Sequence, residues 1–152
     1  RITYWPQLFL GITFNWGILM AWTSMNNSIN AEITILYISA IFWTLGYDTI
    51  YGAQDMSDDE IIGLKSTSIK FKENIRLFVG ISYSITIIMI VYLLKDNIGV
   101  NFFSTLLFMF TGSLLYQIFN FNKDKPKSCL NMFKLNNTSG LLLLASILLV
   151  DF

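Results

Sequence analysis

The chain contains no histidine, one cysteine and only two prolines, and few of its residues are charged. Histidine is the side chain whose ordinary pKa lies near neutrality, so acid–base catalysis by imidazole is excluded. The single cysteine, Cys129, excludes a disulfide within the chain and a zinc site built from cysteines, and we interpret it as an ordinary loop residue. Basic and acidic residues number 10 each, so the charge balance does not indicate nucleic-acid binding.

What the chain does contain is apolar sequence. Apolar residues make up 54% of it, charged residues 13%, and the mean hydropathy is +0.56, which is typical of an integral membrane protein. A membrane-spanning helix needs about 20 apolar residues, and four segments meet this length: 8–25, 33–51, 77–94 and 100–121. A fifth, 139–152, is marginal. We therefore predict an all-α bundle of about five transmembrane helices.

The basic residues lie on one side of these predicted spans. If the spans alternate in direction, every basic residue except Lys95 falls in the loops of one face: Arg1, Lys65, Lys70, Lys72, Arg76, Lys123, Lys125, Lys127 and Lys134. By the positive-inside rule this face is the cytoplasmic or matrix side.

A dense group of carboxylates follows the second predicted span, in the segment 47–67. Asp48, Asp55 and Asp59 are spaced by seven and four residues, so a continuous helix would place them on one face, with Asp58 beside them. Such a face repels itself unless it binds a cation. Because Mg²⁺ is usually held by one or two carboxylates together with substrate phosphates, these four acids predict a metal–diphosphate site.

Basic and hydroxyl side chains follow the acids directly. Lys65 is placed to reach a phosphate oxygen, and Ser66 and Thr67 offer hydroxyl donors. The alternative is that Lys65 only follows the positive-inside rule. Residues 52–76, which contain Gly63, are expected to form a structured loop of the kind that usually carries function.

Polar and aromatic side chains within the spans are the remaining candidates. Tyr47 and Tyr51 lie one turn apart, where they could donate hydrogen bonds to phosphate or face a developing carbocation, unless they are ordinary interfacial tyrosines. The amides are expected to form hydrogen bonds between helices more often than to bind a ligand; they are Asn15, Gln117, Asn136 and Asn137.

The segment 47–67, YDTIYGAQDMSDDEIIGLKST, resembles the second aspartate-rich motif of the UbiA superfamily of membrane prenyltransferases, and most closely its 4-hydroxybenzoate branch. Residues 1–16 resemble the start of the fifth helix of that family, and Asn136-Asn137 resemble its C-terminal pattern. The resemblance implies a nine-helix fold in a bacterial or mitochondrial inner membrane. It also implies Mg²⁺-dependent transfer of a polyprenyl group from its diphosphate to 4-hydroxybenzoate, in ubiquinone synthesis.

The resemblance also assigns roles to individual residues. Asp55 and Asp59 match the metal-binding acids, and Lys65 and Arg1 match basic positions near the diphosphate. Asp48 and Asp58 match acidic positions of less certain role. Gly52 stands where the family motif usually has alanine, a difference that we expect to have little consequence.

One departure from the family pattern limits what this chain is expected to do. The first aspartate-rich motif, which lies between the second and third family helices, does not occur in residues 1–152. The chain therefore corresponds to the C-terminal five helices of one prenyltransferase domain, and we expect it to need the N-terminal half for activity. Three alternatives stay open: an inactive remnant or membrane interaction protein, a relative acting on another aromatic acceptor, and half of a transporter.

Overall fold

The computed structural model describes residues 2–150, which contain helices and turns but no strand. Arg1, a predicted diphosphate-binding residue, lies outside this range. Single 3₁₀ turns cover Lys72–Asn74 and Lys95–Asn97. The α-helices are α1 (Pro6–Phe14), α2 (Trp16–Asn26), α3 (Ala31–Gly52), α4 (Met56–Ile61), α5 (Thr67–Lys70), α6 (Ile75–Leu93), α7 (Phe102–Asn120) and α8 (Pro126–Ile147).

Residues with a known local preference set where these helices begin. Pro6 and Pro126 open α1 and α8, where the missing N–H group costs nothing. The side chain of Asn30 accepts a hydrogen bond from the Ile33 N–H at 2.9 Å and caps α3. Asn101 caps α7 in the same way through the Ser104 N–H at 2.8 Å.

Four stretches of helix are long and apolar enough to cross a membrane: Pro6–Asn26, Ala31–Gly52, Lys72–Leu93 and Phe102–Asn120. Their positions confirm the four spans predicted from hydropathy. The first is interrupted at Asn15, whose amide nitrogen donates to the Gly11 carbonyl at 2.8 Å and to Thr44 Oγ1 at 2.9 Å. The side-chain amide of Asn15 therefore interrupts the first span and hydrogen-bonds it to α3 at the same position.

The last helix differs from its prediction. We expected a polar loop up to Lys134 and an apolar helix over 139–152, but α8 starts at Pro126 and runs for 22 residues. Its first half can be polar because only part of the helix surface packs against α7 and α3, and the remainder stays exposed. Hydropathy averaged over a window does not detect a helix whose first half is polar.

The bundle is built around α3, which packs on α1, α2, α6 and α8, while α7 packs mainly on α8. At the crossing of α3 and α6, the ring of the fully buried Tyr83 lies on Gly46. A Cβ atom at Gly46 would lie 2.4 Å from Tyr83 Cε1, so only glycine lets the two helices approach this closely.

The loops that carry the basic residues meet at one end of the bundle. Arg76, at the start of α6, donates to the Phe121 carbonyl at 3.2 Å. Lys123, after α7, donates in return to the Lys72 carbonyl at 3.0 Å. At the same end, Gln7 of α1 accepts a hydrogen bond from the Thr67 N–H at 3.0 Å. This grouping agrees with the alternating spans and the one-sided charge predicted above.

The contact between Gly46 and Tyr83 is tested by Gly46→Ala. The added methyl group must displace a large, fully buried ring, so we expect a loss of about 1–3 kcal/mol of stability. Gly17→Ala is the matched control, because a Cβ atom at Gly17 meets nothing within 4 Å. Thermal unfolding of the detergent-solubilised protein measures both; equal midpoints for the two variants would contradict the packing described.

Candidate active site

The acidic residues lie on two helices and not on one. Asp48 is on α3, one turn before that helix ends at Gly52. Asp55 stands at the N-cap position of α4, and Asp58 and Asp59 are in its first turn. The single face predicted for Asp48, Asp55 and Asp59 is therefore not formed, because the turn after Gly52 interrupts the helix.

Within α4 the predicted spacing holds. The Asp59 N–H donates to the Asp55 carbonyl at 2.9 Å, so these two residues are one turn apart. Asp55 and Asp58 are exposed and Asp59 is half-buried, as is Asp48 on α3. Acidic side chains in a first turn also interact favourably with the helix dipole. Among residues 2–150, however, no three acidic, histidine or cysteine side chains converge closely enough to hold a metal ion by themselves.

The turn that ends α4 brings Lys65 close to these acids in the chain. Gly63 has a φ of 72°, a left-handed conformation that suits glycine. The Leu64 N–H then donates to the Asp59 carbonyl at 2.8 Å. Lys65 follows directly, and its Nζ lies 5.5 Å from the centre of the Tyr4 ring. Lys65 is thus held between the acidic helix and the N-terminal segment.

The hydroxyl groups of Ser66 and Thr67 are not directed to solvent, since both residues are fully buried. Ser66 Oγ accepts a hydrogen bond from the Ile69 N–H at 3.2 Å and caps α5. Thr67 Oγ1 lies 2.7 Å from Thr49 Oγ1. Because the Thr49 hydroxyl donates to the Leu45 carbonyl at 2.6 Å, Thr67 is the donor to Thr49. Both hydroxyl groups therefore hydrogen-bond within the protein, and we do not propose Ser66 and Thr67 as phosphate ligands.

Ser68, which the sequence analysis did not single out, completes this arrangement. Its hydroxyl donates to the Thr49 carbonyl at 2.8 Å. A Cβ atom at Gly52 would lie 2.7 Å from Ser68 Oγ and 3.1 Å from Gln7 Nε2. The expectation that alanine and glycine are equivalent at position 52 is therefore wrong for this chain. We call this set the latch: Gln7, Thr49, Ser66, Thr67 and Ser68.

Tyr47 and Tyr51 belong to an aromatic cluster between α3 and α8. Their ring centres lie 5.8 and 4.6 Å from that of Phe133, and Tyr47 also meets the edge of Trp43. Tyr51 keeps 39% of its surface exposed. The two rings border the end of the bundle that carries the acids.

Beneath the aromatic cluster is a buried polar network centred on Gln117. Its Oε1 accepts hydrogen bonds from Tyr83 at 2.7 Å and Asn136 at 3.1 Å, and its Nε2 donates to Ser139 at 3.2 Å. Trp43 Nε1 donates to Asn136 Oδ1 at 3.0 Å. The predicted interhelical role is thus confirmed for Gln117 and Asn136, as it is for Asn15 in the first span. Within residues 2–150 the exposed Asn137 makes no interhelical hydrogen bond.

Sequence reasoning missed the partners of these groups. Tyr83 and Ser139 belong to no motif and Gln7 was given no role, although a polar side chain in an apolar span needs a partner somewhere in the bundle. That requirement shows that partners exist without naming them. Cys129 lies near the start of α8 and is fully buried, so the loop position that we expected for it is wrong.

The chain was compared with known proteins. A match to the UbiA prenyltransferase family covers residues 1–146. The chain belongs to the UbiA prenyltransferase family. No solved structure matches it.

Curated relatives resemble nearly all of this chain. It is 40% identical over 151 residues to 4-hydroxybenzoate polyprenyltransferase, mitochondrial, of Bos taurus, and 39% identical to the Homo sapiens protein of that name; each match covers 98% of this chain. It is 37% identical to 4-hydroxybenzoate geranyltransferase 2 of Lithospermum erythrorhizon, over 97% of this chain. The chain spans 40% of the two animal proteins and 49% of the plant protein.

The latch is tested by Thr67→Val, which keeps the shape of the side chain and removes its hydroxyl. We expect a loss of about 1–3 kcal/mol of stability, because a buried hydrogen bond is lost. Thermal unfolding in detergent is the measurement, with Thr138→Val on the exposed side of α8 as the control. An unchanged unfolding midpoint combined with a raised KM for the prenyl diphosphate would instead support the phosphate contact predicted from sequence.

The burial of Cys129 is tested by its reaction with a maleimide. Burial raises the pKa of the Cys129 thiol from 9.0 to about 11, and the thiol donates to the Asn122 carbonyl at 3.2 Å. The native thiol therefore stays neutral and shielded at pH 8, and we expect labelling only after denaturation in SDS. Because the native pKa is the higher one, the contribution of this thiol to stability is lost as the pH rises from about 9 to about 11. Rapid labelling of the folded protein would contradict this placement.

Proposed function

We propose that the protein containing this chain transfers a polyprenyl group from its diphosphate to the ring carbon ortho to the hydroxyl of 4-hydroxybenzoate, a step of ubiquinone synthesis. Family membership supports prenyl transfer, and the names of the similar proteins support 4-hydroxybenzoate as the acceptor. The observation that carries the proposal is the placement of Asp55 and Asp59 one turn apart on α4, with Lys65 following the turn that ends this helix.

The donor chemistry of these residues fits Mg²⁺. Two carboxylates one turn apart, together with diphosphate oxygens, match the usual coordination of this ion, which seldom takes a complete set of protein ligands. Because no three acidic side chains converge within residues 2–150, substrate oxygens would have to complete the coordination. We assign the metal contacts to Asp55 and Asp59, with Asp58 and Asp48 in support. The ion would supply neutralisation of the diphosphate charge.

The other residues of the site would act on the two substrates. Lys65, and by resemblance Arg1, would place positive charge beside the diphosphate and help it to leave. Tyr47 and Tyr51 would present ring faces to the allylic cation while the acceptor ring attacks. The bundle would offer the prenyl chain an apolar surface and keep water away from the cation.

The rest of the protein is part of this proposal. The chain spans about two fifths of its animal relatives and lacks the first aspartate-rich motif of the family. We therefore propose that residues 1–152 need the N-terminal half of the enzyme, which carries that motif, for catalysis. We further propose a multi-pass protein of a bacterial or mitochondrial inner membrane, with α4 on the cytoplasmic or matrix side. Membership of a prenyltransferase family weighs against half of a transporter.

The site is tested by Asp55→Asn and Asp59→Asn in the complete protein. Each change keeps the size of the side chain and removes a charge that the metal–diphosphate complex needs, so we expect Mg²⁺-dependent transfer to fall by about a hundredfold or more. Formation of 3-polyprenyl-4-hydroxybenzoate in membranes is the measurement. Asp96→Asn, in the 3₁₀ turn between α6 and α7, is the matched control.

The amount of protein in the membrane should be the same for all three variants. Near-normal turnover of both α4 variants would refute the site. Full activity with a different aromatic acceptor, together with none on 4-hydroxybenzoate, would refute the acceptor and keep the site.

A further inference from the structure

A groove of about 970 Å³ runs along the outer surface of α6, and the last turn of α7 with the residues after it borders the groove at one end. It stays open because α6 packs mainly on α3, whereas α7 packs mainly on α8. Its walls are apolar, and small residues, Gly80 and Ser84, widen it on the α6 side. The apolar wall residues are Ile75, Leu77, Ile81, Ile85, Ile88, Ile118, Phe119 and Phe121.

Charged residues lie only at the end of the groove where the basic loops meet. They are two cations, Arg76 and Lys123, and two carboxylates, Glu73 and Asp124. The hydrogen bonds of Arg76 to the Phe121 carbonyl and of Lys123 to the Lys72 carbonyl hold both cations at this rim. Each of these bonds uses one N–H donor, and a guanidinium has five and an ammonium three.

The length of the groove matches one leaflet of a bilayer. Its lining on α6 and the 3₁₀ turn before it extends from Glu73 to Ile88, which at about 1.5 Å per residue is roughly 22 Å. A leaflet with its headgroup layer is about 20–22 Å thick. The charged rim would then lie among the headgroups and the apolar walls among the acyl chains.

We propose that this groove binds one phospholipid whose headgroup carries both a phosphate and a primary ammonium. The phosphate lies on Arg76 and Lys123, and the ammonium lies on Glu73 and Asp124. The four rim charges sum to zero, so a headgroup with one charge of each sign satisfies all of them. An anionic headgroup would leave the two carboxylates facing like charge. The proposal does not rest on the proposed enzymatic function.

Gly80 allows a direct test, because a Cβ atom there meets nothing within 4 Å. Gly80→Phe therefore fills the groove without an internal clash. Gly112→Phe is the matched control: it adds the same ring to an equally open position on α7, outside the groove lining. Arg76→Gln combined with Lys123→Gln removes the phosphate contacts. Lys125→Gln combined with Lys127→Gln, at two exposed lysines outside the lining, controls for the loss of two charges.

The experiment is native mass spectrometry of the complete, delipidated protein in detergent. Phosphatidylethanolamine, phosphatidylglycerol and phosphatidylcholine with identical acyl chains are added in turn. We expect one tightly held phosphatidylethanolamine, bound about tenfold more weakly by Gly80→Phe and by the double variant of Arg76 and Lys123, a change of one decade in Kd. Both controls should bind it as the unaltered protein does.

Four results would overturn the proposal. Equal binding of the three lipids would mean that the groove holds only ordinary surrounding lipid. Preference for phosphatidylglycerol would contradict the role of the carboxylates. Unchanged binding to Gly80→Phe, or cross-linking of the groove to another segment or a second copy of the protein, would show that something other than this lipid occupies it. Should Gly80→Phe misfold, Ser84→Phe fills the same groove from an exposed position.

Discussion

The hydrogen bonding of one buried amide, that of Gln117, determines how this bundle is put together. An amide enclosed among apolar side chains is costly unless its oxygen and nitrogen find partners. Its partners Tyr83, Asn136 and Ser139 come from α6 and α8. Trp43 adds α3 through Asn136. In an apolar bundle most side-chain contacts allow the helices to slide along one another. These hydrogen bonds, by contrast, form only at one relative position of α3, α6, α7 and α8 along the bundle axis.

The position of the candidate site follows from that alignment. Once α3 is fixed by Trp43 and by the contact of Gly46 with Tyr83, its last turns place Tyr47, Asp48 and Thr49 at one end of the bundle. Thr49 then holds α5 through the latch, and Gln7 adds α1 to the same set of hydrogen bonds. The hydroxyl groups beside the acidic motif therefore form hydrogen bonds within the chain. Because these bonds fix the position of α5, they also fix that of Lys65, which lies just before this helix.

The four spans and the grouping of the basic loops at one end could be predicted from sequence, because they depend on summed quantities, hydropathy and charge. The start of α8 at Pro126 could not be predicted in this way, since its first half is polar and its helicity comes from packing. The latch residues show the same limit. Ser66 and Thr67 have the chemistry of phosphate ligands, and nothing local distinguishes that use from hydrogen bonds within the chain, which Ser66 makes to the Ile69 N–H and Thr67 to Thr49. The face predicted for Asp48, Asp55 and Asp59 assumed a continuous helix, and the close contact of Gly52 with Ser68 accompanies its end.

The acidic helix α4 is held far less firmly than the latch. It has six residues, too few for a helix to be stable in water without outside contacts. Its contacts include the buried Met56 and an ion pair of Glu60 with Lys72 at 2.6 Å, and exposed pairs of this kind contribute little. Ile61 and Ile62 remain 83% and 69% exposed, and the neighbouring carboxylates repel one another. A cation with its diphosphate would relieve the repulsion, and further protein surface would cover the isoleucines. Both features agree with the proposal that α4 acts within a longer protein.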